Sequence, residues 1–319
     1  MNHLVVILPV YNGGHYLKQS VESVLNQSFH EFDFYILDDC STDGSWEYLS
    51  SLKDDRIRLY RNDVNRGLFY NLNYLIKSSN AELIKLWSQD DIMYPQCIDR
   101  IVAFHKQYPQ VGFSYTATHT IDEDGIIQEK SFIDRTPELV SSELHAKIAF
   151  YTGSIAGNIA NVTLNRKALN EVGLFREDMK ISGDFDMWVR LAKDNPVGFI
   201  KEALIQLRDH KKQLSRQEVY YIYHLTEDLQ VYRYLLGYVP NANQKAGRLM
   251  LRKYKLMFYY TLMIKALVKG KPGVSIKFWK ALAGFDSILL LTVSFIQNKC
   301  FKGSSDKVLI KDNSFLFEQ

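Results

Sequence analysis

Five short apolar runs, separated by stretches of helical period, constrain this chain more than any other feature. They are LVVILPV (residues 4–10), FDFYIL (32–37), IRLY (57–60), ELIKLW (82–87) and VGFSYTA (111–117). A continuous, β-branched run marks a strand buried on both faces. Between the runs, Leu17, Val21, Val24 and Leu25 share one helical face, and so do Leu68, Leu72, Leu75 and Ile76. Residues 45–52 form a shorter helical stretch, and Pro95 opens another that carries Ile98, Ile101, Val102 and Phe104. Strands alternating with helices predict βαβ units and a mostly parallel sheet. Ligands of such sheets sit beyond the carboxyl ends of the strands.

Those ends carry the chemistry. They read Pro9-Val10-Tyr11, followed by the turn Asn12-Gly13-Gly14, then Asp38-Asp39, Asn62-Asp63 and Gln89-Asp90-Asp91. Acids after strands also serve as helix caps, yet three acidic ends on one edge point to a shared task. The adjacent carboxylates Asp90 and Asp91 repel unless a cation or protons lie between them. Mg2+ and Mn2+ favour carboxylate and phosphate oxygens, and an ion held there can clamp a diphosphate and act as a Lewis acid on it. One of the two acids is also suited to cap the next helix. In Asp38-Asp39-Cys40-Ser41-Thr42-Asp43-Gly44, a carboxylate can accept a base N–H, while Ser41, Thr42 or Asp43 caps the helix that follows.

With 319 residues, 46% hydrophobic and 24% charged, the composition is that of an ordinary globular protein. The opening apolar run is about six residues long before it meets Pro9, which predicts no signal peptide. Cys40, Cys97 and Cys300 lie far apart, so neither a CxxC metal site nor a disulfide framework is expected. Both features suit a reducing, cytoplasmic setting, where the N-x-S/T triplets at Asn26 and Asn161 are chance matches. The net charge of +3 conceals an asymmetry. From residue 241 onward there are 14 Lys/Arg against 4 Asp/Glu, out of totals of 39 and 36, which leaves 25 against 32 before it.

Within that basic tail, Lys245, Arg248, Arg252 and Lys255 alternate with Leu249, Leu251, Leu256 and Met257 as a basic amphipathic helix. From residue 274 one helical face is expected to carry Lys277, Lys280, Gly284, Ser287, Ser294 and Asn298, with Leu291 the exception. Phe278, Leu282, Phe285, Leu289, Val293 and Ile296 fill the rest. The uncharged stretch after Asp286 runs for about 12 residues, short of the roughly 20 that cross a bilayer. Two readings stand open: an interfacial helix on an anionic membrane, or a helical subdomain that packs on the core or joins a homo-oligomer.

Taken together, LVVILPVYNGGHYLKQSVESVLNQSFHEFDFYILDDCSTDGS, Asn65-Arg66-Gly67 with Asn73, and LWSQDDIMYP resemble family 2 glycosyltransferases of the GT-A fold. Downstream, NVTLNRKALNEVGLF (161–175), SGDFDMWVRLA (182–192) and LRDHKKQLS (207–215) resemble that family's acceptor-side and Arg-x-His segments. The resemblance runs in order over residues 4–215. It implies an α/β, GT-A-like (Rossmann-like) mostly parallel sheet flanked by helices in domain 1–215, with a helical C-terminal region at 216–319. It implies an inverting transferase that moves a sugar from a UDP- or dTDP-linked donor to a hydroxyl of a glycan or lipid-linked saccharide. The setting it suggests is a bacterial surface-polysaccharide pathway, in the cytoplasm or on the inner membrane face.

The site residues follow from the same resemblance. Pro9, Val10, Tyr11, Asn12, Asp38, Asp39, Arg66 and Gln89 surround the nucleotide, and Asp90 is the ligand of Mn2+ or Mg2+. Ser88 stands where the usual first acid falls, with Asp91 as the alternative second ligand. Arg208 and His210 approach the diphosphate or metal, near Gln213 and Ser215. Gly183 occupies the place of a common Glu, so the general base falls on Asp184, with Asp186 as second choice. An acceptor hydroxyl ionises far above neutral pH, so a positioned carboxylate must take its proton during attack. Attack opposite the leaving group inverts the anomeric carbon through an oxocarbenium-like state.

Three rivals compete. A nucleotidyltransferase would want a basic, glycine-rich phosphate loop, whereas PVYNGGHYL offers only Lys18. A non-catalytic scaffold is favoured by Ser88 and Gly183 and opposed by Asp90, Asp184 and His210. Nucleic-acid binding has only the tail behind it and no module, so no nucleic-acid partner is expected.

Overall fold

The computed structural model describes residues 3–128, 136–210, 218–237 and 241–300; Gln213 and Ser215 lie outside them, as does the side chain of Asn298. The described chain divides into two compact units, one of residues 3–128, 136–142 and 156–210, the other of residues 143–155, 218–237 and 241–300.

The first unit alternates strands and helices: β1 (Leu4–Val10), α1 (Tyr16–Leu25), β2 (Phe32–Asp38), α2 (Ser45–Ser51), β3 (Ile57–Arg61), α3 (Leu68–Lys77) and β4 (Leu83–Leu86). Then come β5 (Ile92–Met93), α4 (Cys97–Gln107), β6 (Phe113–Ile121), β7 (Ile127–Gln128) and β8 (Leu139–Val140). After α5 (Ser142–Thr152), most of which belongs to the second unit, follow β9 (Val162–Asn165), α6 (Arg166–Val172), α7 (Gly183–Asp194) and β10 (Val197–Arg208). One sheet runs β3-β2-β1-β4-β9-β6-β10-β5, with β7 on β6 and β8 on β10. Along that path β9 and β5 are reversed and the other six strands share a direction, the mostly parallel sheet the runs predict.

Burial explains the pattern. Leu4, Val5, Val6, Ile7 and Leu8 are fully buried because helices cover both faces of β1. Leu17, Val21 and Val24 of α1 pack into the same core as Ile98 and Ile101 of α4. Register then sets the carboxyl ends level. Val10 pairs with Asp38, and Asp38 with Arg61, while the Trp87 N–H extends the β1–β4 ladder to the Ile7 carbonyl at 2.9 Å. All acidic ends therefore emerge on one edge.

The second unit is helical: α5, then α8 (Tyr221–Leu236), α9 (Asn241–Met250), a π-helical turn (Leu251–Leu256), α10 (Met257–Val268), α11 (Pro272–Ala283) and α12 (Ile288–Cys300). Its core joins Leu225 and Leu229 with Tyr259, Tyr260, Met263, Phe278, Leu282 and Leu291. The single helical face expected from residue 274 is not formed, because α11 and residues 288–297 of α12 meet at 106°. Gly284 ends the first helix. Asp286 is pinned by Arg252 at 2.7 and 2.8 Å and accepts the Ser287 N–H at 2.7 Å, so the second helix starts on a new axis. Phe278 and Leu282 turn inward, whereas Leu289, Val293 and Ile296 are exposed. Among the described residues no single helix is long and apolar enough to cross a membrane; the bent pair passes that test only jointly.

Candidate active site

The loop after β1 is clasped by the loop after β2. Asn12 and Cys40 both hold left-handed backbone, at φ 49° and 63°. The Asn12, Gly13 and Gly14 N–H groups donate to Ser41 Oγ, Ser45 Oγ and Asp43 Oδ2 at 2.9, 3.0 and 2.8 Å. In return the Thr42 N–H donates to Asn12 Oδ1 at 2.9 Å. Asp43 also receives the Ser45 N–H and hydroxyl at the start of α2, but the N-cap position itself is Gly44 in left-handed backbone and makes no side-chain cap bond, so none of Ser41, Thr42 and Asp43 is the cap. Burial pushes its carboxyl up, but the bonds from Ser45 and Gly14 outweigh that and hold it below the usual range. Gln89 reaches across from β4: its Oε1 accepts the Tyr11 N–H at 2.9 Å and its Nε2 donates to the Tyr11 carbonyl at 3.1 Å. The Tyr11 ring itself is half exposed.

Asp38 and Asp39 differ in their company. Asp39 accepts Asn62 Nδ2 (2.7 Å), the Arg66 N–H (2.8 Å) and the Gly67 N–H (2.9 Å), and so folds the segment leading into α3 against β2. Asp38 is fully buried. Its Oδ2 accepts the Ser41 N–H at 3.1 Å and faces Arg61 at 3.4 Å, while its Oδ1 has no hydrogen-bond partner among the described residues. The Arg66 guanidinium lies over the Tyr70 ring at 5.6 Å.

Past β4 the acidic pair is wired to the end of β10. Asp90 accepts the Ser88 hydroxyl on Oδ1 and meets His210 Nε2 at 2.9 Å on Oδ2. Asp91 is buried; its Oδ1 accepts the Arg208 N–H at 2.8 Å, and its Oδ2 has no partner among the described residues. Burial first, and the Asp90 charge second, push the Asp91 carboxyl well above the usual carboxylate range. Beneath it, burial pushes the fully buried Lys85 down to about 8.

Sequence reasoning aimed Arg208 at phosphate. In the structure its guanidinium faces protein instead: Nε donates to the Asp90 carbonyl (3.0 Å), and Nη1 to the Asp122 and Glu123 carbonyls (3.1 and 3.2 Å). Nη2 donates to Gln19 Oε1 at 2.8 Å, and the group lies 4.3 Å over the Tyr16 ring. Tyr16 is in turn 5.4 Å from the His210 ring. Tyr16, Gln19 and the supporting bond from Ser88 escaped the sequence reading. Tyr16 and Gln19 lie three apart on α1, but such spacing says nothing about a partner some 190 residues away.

The third cluster begins α7. Gly183 packs on α3, and a Cβ there would lie 2.7 Å from the Phe69 ring. That ring follows Gly67, so the contact ties α7 to the segment Asp39 holds. Asp184 is half-buried, and its Oδ1 accepts the Phe185 N–H at 2.7 Å. Asp186 pairs with Arg190 at 2.8 Å, and Arg190 also donates to the Val172 and Leu174 carbonyls. Among the described residues no three His, Cys, Asp or Glu side chains form a group that could hold a metal ion; the acidic edge offers the pair Asp90 and His210.

A sheet of this order, with acids and a histidine at its carboxyl edge, is an open α/β fold whose candidate site lies beyond the strand ends. The chain belongs to glycosyl transferase family 2, whose model matches residues 5–172. It is 30% identical over 215 residues to an uncharacterized glycosyltransferase of Rickettsia conorii, covering 66% of this chain but only 35% of that protein. It is 27% identical over 190 residues to WcaA of Escherichia coli K12, a putative colanic acid biosynthesis glycosyl transferase, with 58% of this chain and 64% of that one covered. Its fold matches residues 1–349 of Staphylococcus aureus TarS, solved with UDP-GlcNAc, at a TM-score of 0.66 and 19% identity, over 88% and 80% of the two chains. The mannosyltransferase PcManGT of Pyrobaculum calidifontis, solved with GDP-Man and Mn2+, matches at 0.54 and 12% identity, over 98% and 84%. The fold is thus GT-A, and the chain spans about a third of the length of the Rickettsia relatives it matches.

Proposed function

We propose that the protein transfers a sugar, with inversion, from a UDP- or dTDP-sugar to a hydroxyl of a glycan or lipid-linked saccharide during synthesis of a bacterial surface polysaccharide. One observation carries the reading: Asp90 and His210, 120 residues apart, meet at 2.9 Å on the sheet edge that also bears the clasped Asn12–Asp43 loops. The pair suits a divalent cation, because Mg2+ and Mn2+ take one or two protein ligands and complete their shell with substrate phosphate and water. Asp90 and His210 would hold the ion, which when bound neutralises the charge gathering on the nucleotide diphosphate as it leaves. The likeness to a neighbour solved with UDP-GlcNAc supports this choice of donor, and the likeness to one solved with GDP-Man and Mn2+ supports a nucleotide-sugar and the cofactor.

Each remaining residue has a distinct task in this reading. Asp38, fully buried with one oxygen left over, forms the polar floor beneath the base, and the Tyr11 ring covers the base. Asp39 and Gln89, spent on backbone groups, shape the pocket wall, and Arg66 flanks it. Arg208 and Asp91 lock the turn that presents Asp90. Asp184 takes the acceptor proton, while Asp186, neutralised by Arg190, anchors α7. The two departures that favour a scaffold have structural explanations: Ser88 buttresses Asp90, and Gly183 makes room for Phe69.

The test is a thermal-shift and turnover screen of the purified chain against UDP-, dTDP- and GDP-sugars, with Mn2+ or with chelator. One donor should stabilise the protein in a Mn2+-dependent manner, and Asp90→Ala should remove that shift. Asp184→Asn should keep the shift and slow transfer or donor hydrolysis by about 10²–10⁴-fold. Near wild-type turnover in Asp184→Asn would overturn the base assignment, and donor binding indifferent to both chelator and Asp90→Ala would overturn the metal assignment.

A further inference from the structure

The second unit leaves large apolar side chains exposed on its last helices. On α11, Pro272, Ile276, Trp279 and Ala283 recur at spacings of four, three and four, and all four are exposed. This is the period of a single helical stripe, and it points away from Phe278 and Leu282 in the core. On α12, Leu289, Val293 and Ile296 form a second exposed stripe at spacings of four and three, with Leu289 at 73% exposure and Trp279 of α11 at 48%. Leu267 and Val268 at the end of α10 are exposed too, at 56% and 81%. Along each helix the stripe is unbroken, and monomeric proteins rarely leave such apolar stripes in water without a partner.

Charge says which partner. Residues 257–300 contain six lysines, 265, 269, 271, 277, 280 and 299, and a single acid, Asp286. That acid is consumed by its bidentate pair with Arg252. Lys265, Lys269, Lys271, Lys277 and Lys280 are exposed, and the last two flank the α11 stripe. A two-fold contact between copies sets each patch against itself and would crowd like charges around the apolar centre. An anionic lipid surface meets both halves of the pattern, taking apolar side chains at the acyl boundary and lysines at the headgroups. Trp279 is the residue type most enriched at that depth. With 12 and 13 residues, each helix is about 18–20 Å long, short of the roughly 30 Å hydrocarbon core.

We propose that the exposed stripes of α11 and α12 dock the enzyme on the surface of an anionic bilayer without crossing it. The proposal is independent of the donor site. The test is sedimentation of the full chain with vesicles of phosphatidylcholine alone, and of phosphatidylcholine mixed with phosphatidylglycerol. The wild type should pellet with the mixed vesicles and be released by salt. Trp279→Ser/Leu289→Ser should lower its partition at least about ten-fold, with melting temperature unchanged. Lys277→Gln and Lys280→Gln should each cost roughly five-fold and only on the mixed vesicles. The proposal is overturned if the wild type stays in the supernatant, or if the serine variant pellets as well as the wild type. It is equally overturned if light scattering finds a dimer that the serine variant splits, because the occupant is then a second copy.

Discussion

Arg208 gathers more of the site than any other single residue, and it does so through main-chain oxygens. Its fork joins the Asp90, Asp122 and Glu123 carbonyls and Gln19 while stacked on Tyr16. A lysine keeps the charge but lacks the planar set of five donors. Arg208→Lys should therefore cost about 2–4 kcal/mol in urea unfolding and, by loosening the turn that presents Asp90, lower both turnover and the Mn2+-dependent donor shift; an unchanged midpoint and rate would refute this rivet role. His105 offers a test of a different kind. Burial pushes its ring down to about 4, with Nε2 at 2.9 Å from Ser114 Oγ. The unfolded ring takes its proton near 6.5, so between those values the unfolded state binds more protons and stability falls as pH falls. The contribution is complete above about 6.5 and is lost towards 4, by up to roughly 3 kcal/mol. Unfolding midpoints at pH 7 and pH 5 should draw together in His105→Gln; an unaltered pH slope would show that other groups carry the acid sensitivity.

Between elements, α7 fits closely on α3. Gly183 leaves no room for a side chain under the Phe69 ring, which also stacks on Phe175 at 5.7 Å. Gly183→Glu should destabilise by about 1–3 kcal/mol through overpacking. Adding Phe69→Ala to that variant should recover part of the loss, and a double-mutant cycle showing strict additivity would contradict the contact. The legibility of the sequence divides along similar lines. Strands β1 to β4 and their helices could be read because each strand is a short, mostly apolar run bounded by turn residues and most of the helices have one apolar face. The long β10 could not, since Lys201 and Glu202 break the apolar run where the strand shifts register against β6. The contacts of Arg208 were equally invisible, because a carbonyl acceptor looks the same at every position of a sequence. The meeting of Asp90 with His210 was expected from family resemblance, and periodicity alone offered no route to it.

At the scale of the whole molecule, the acidic body and basic tail foreseen from the charge count correspond to an acid-edged sheet and a lysine-rich helical unit with separate cores. The single long tail helix was misjudged because a Gly-Phe-Asp-Ser turn holds several weak stop signals and no proline. One feature of the sheet bears on how the chain is made. β4 meets β6 only through β9, which lies 76 residues downstream of the end of β4. While synthesis runs from α4 to residue 161, the nascent enzyme carries β4 with a bare flank, an edge of the kind that invites pairing with a neighbouring polypeptide. Only when Val162–Asn165 leaves the ribosome can that flank close.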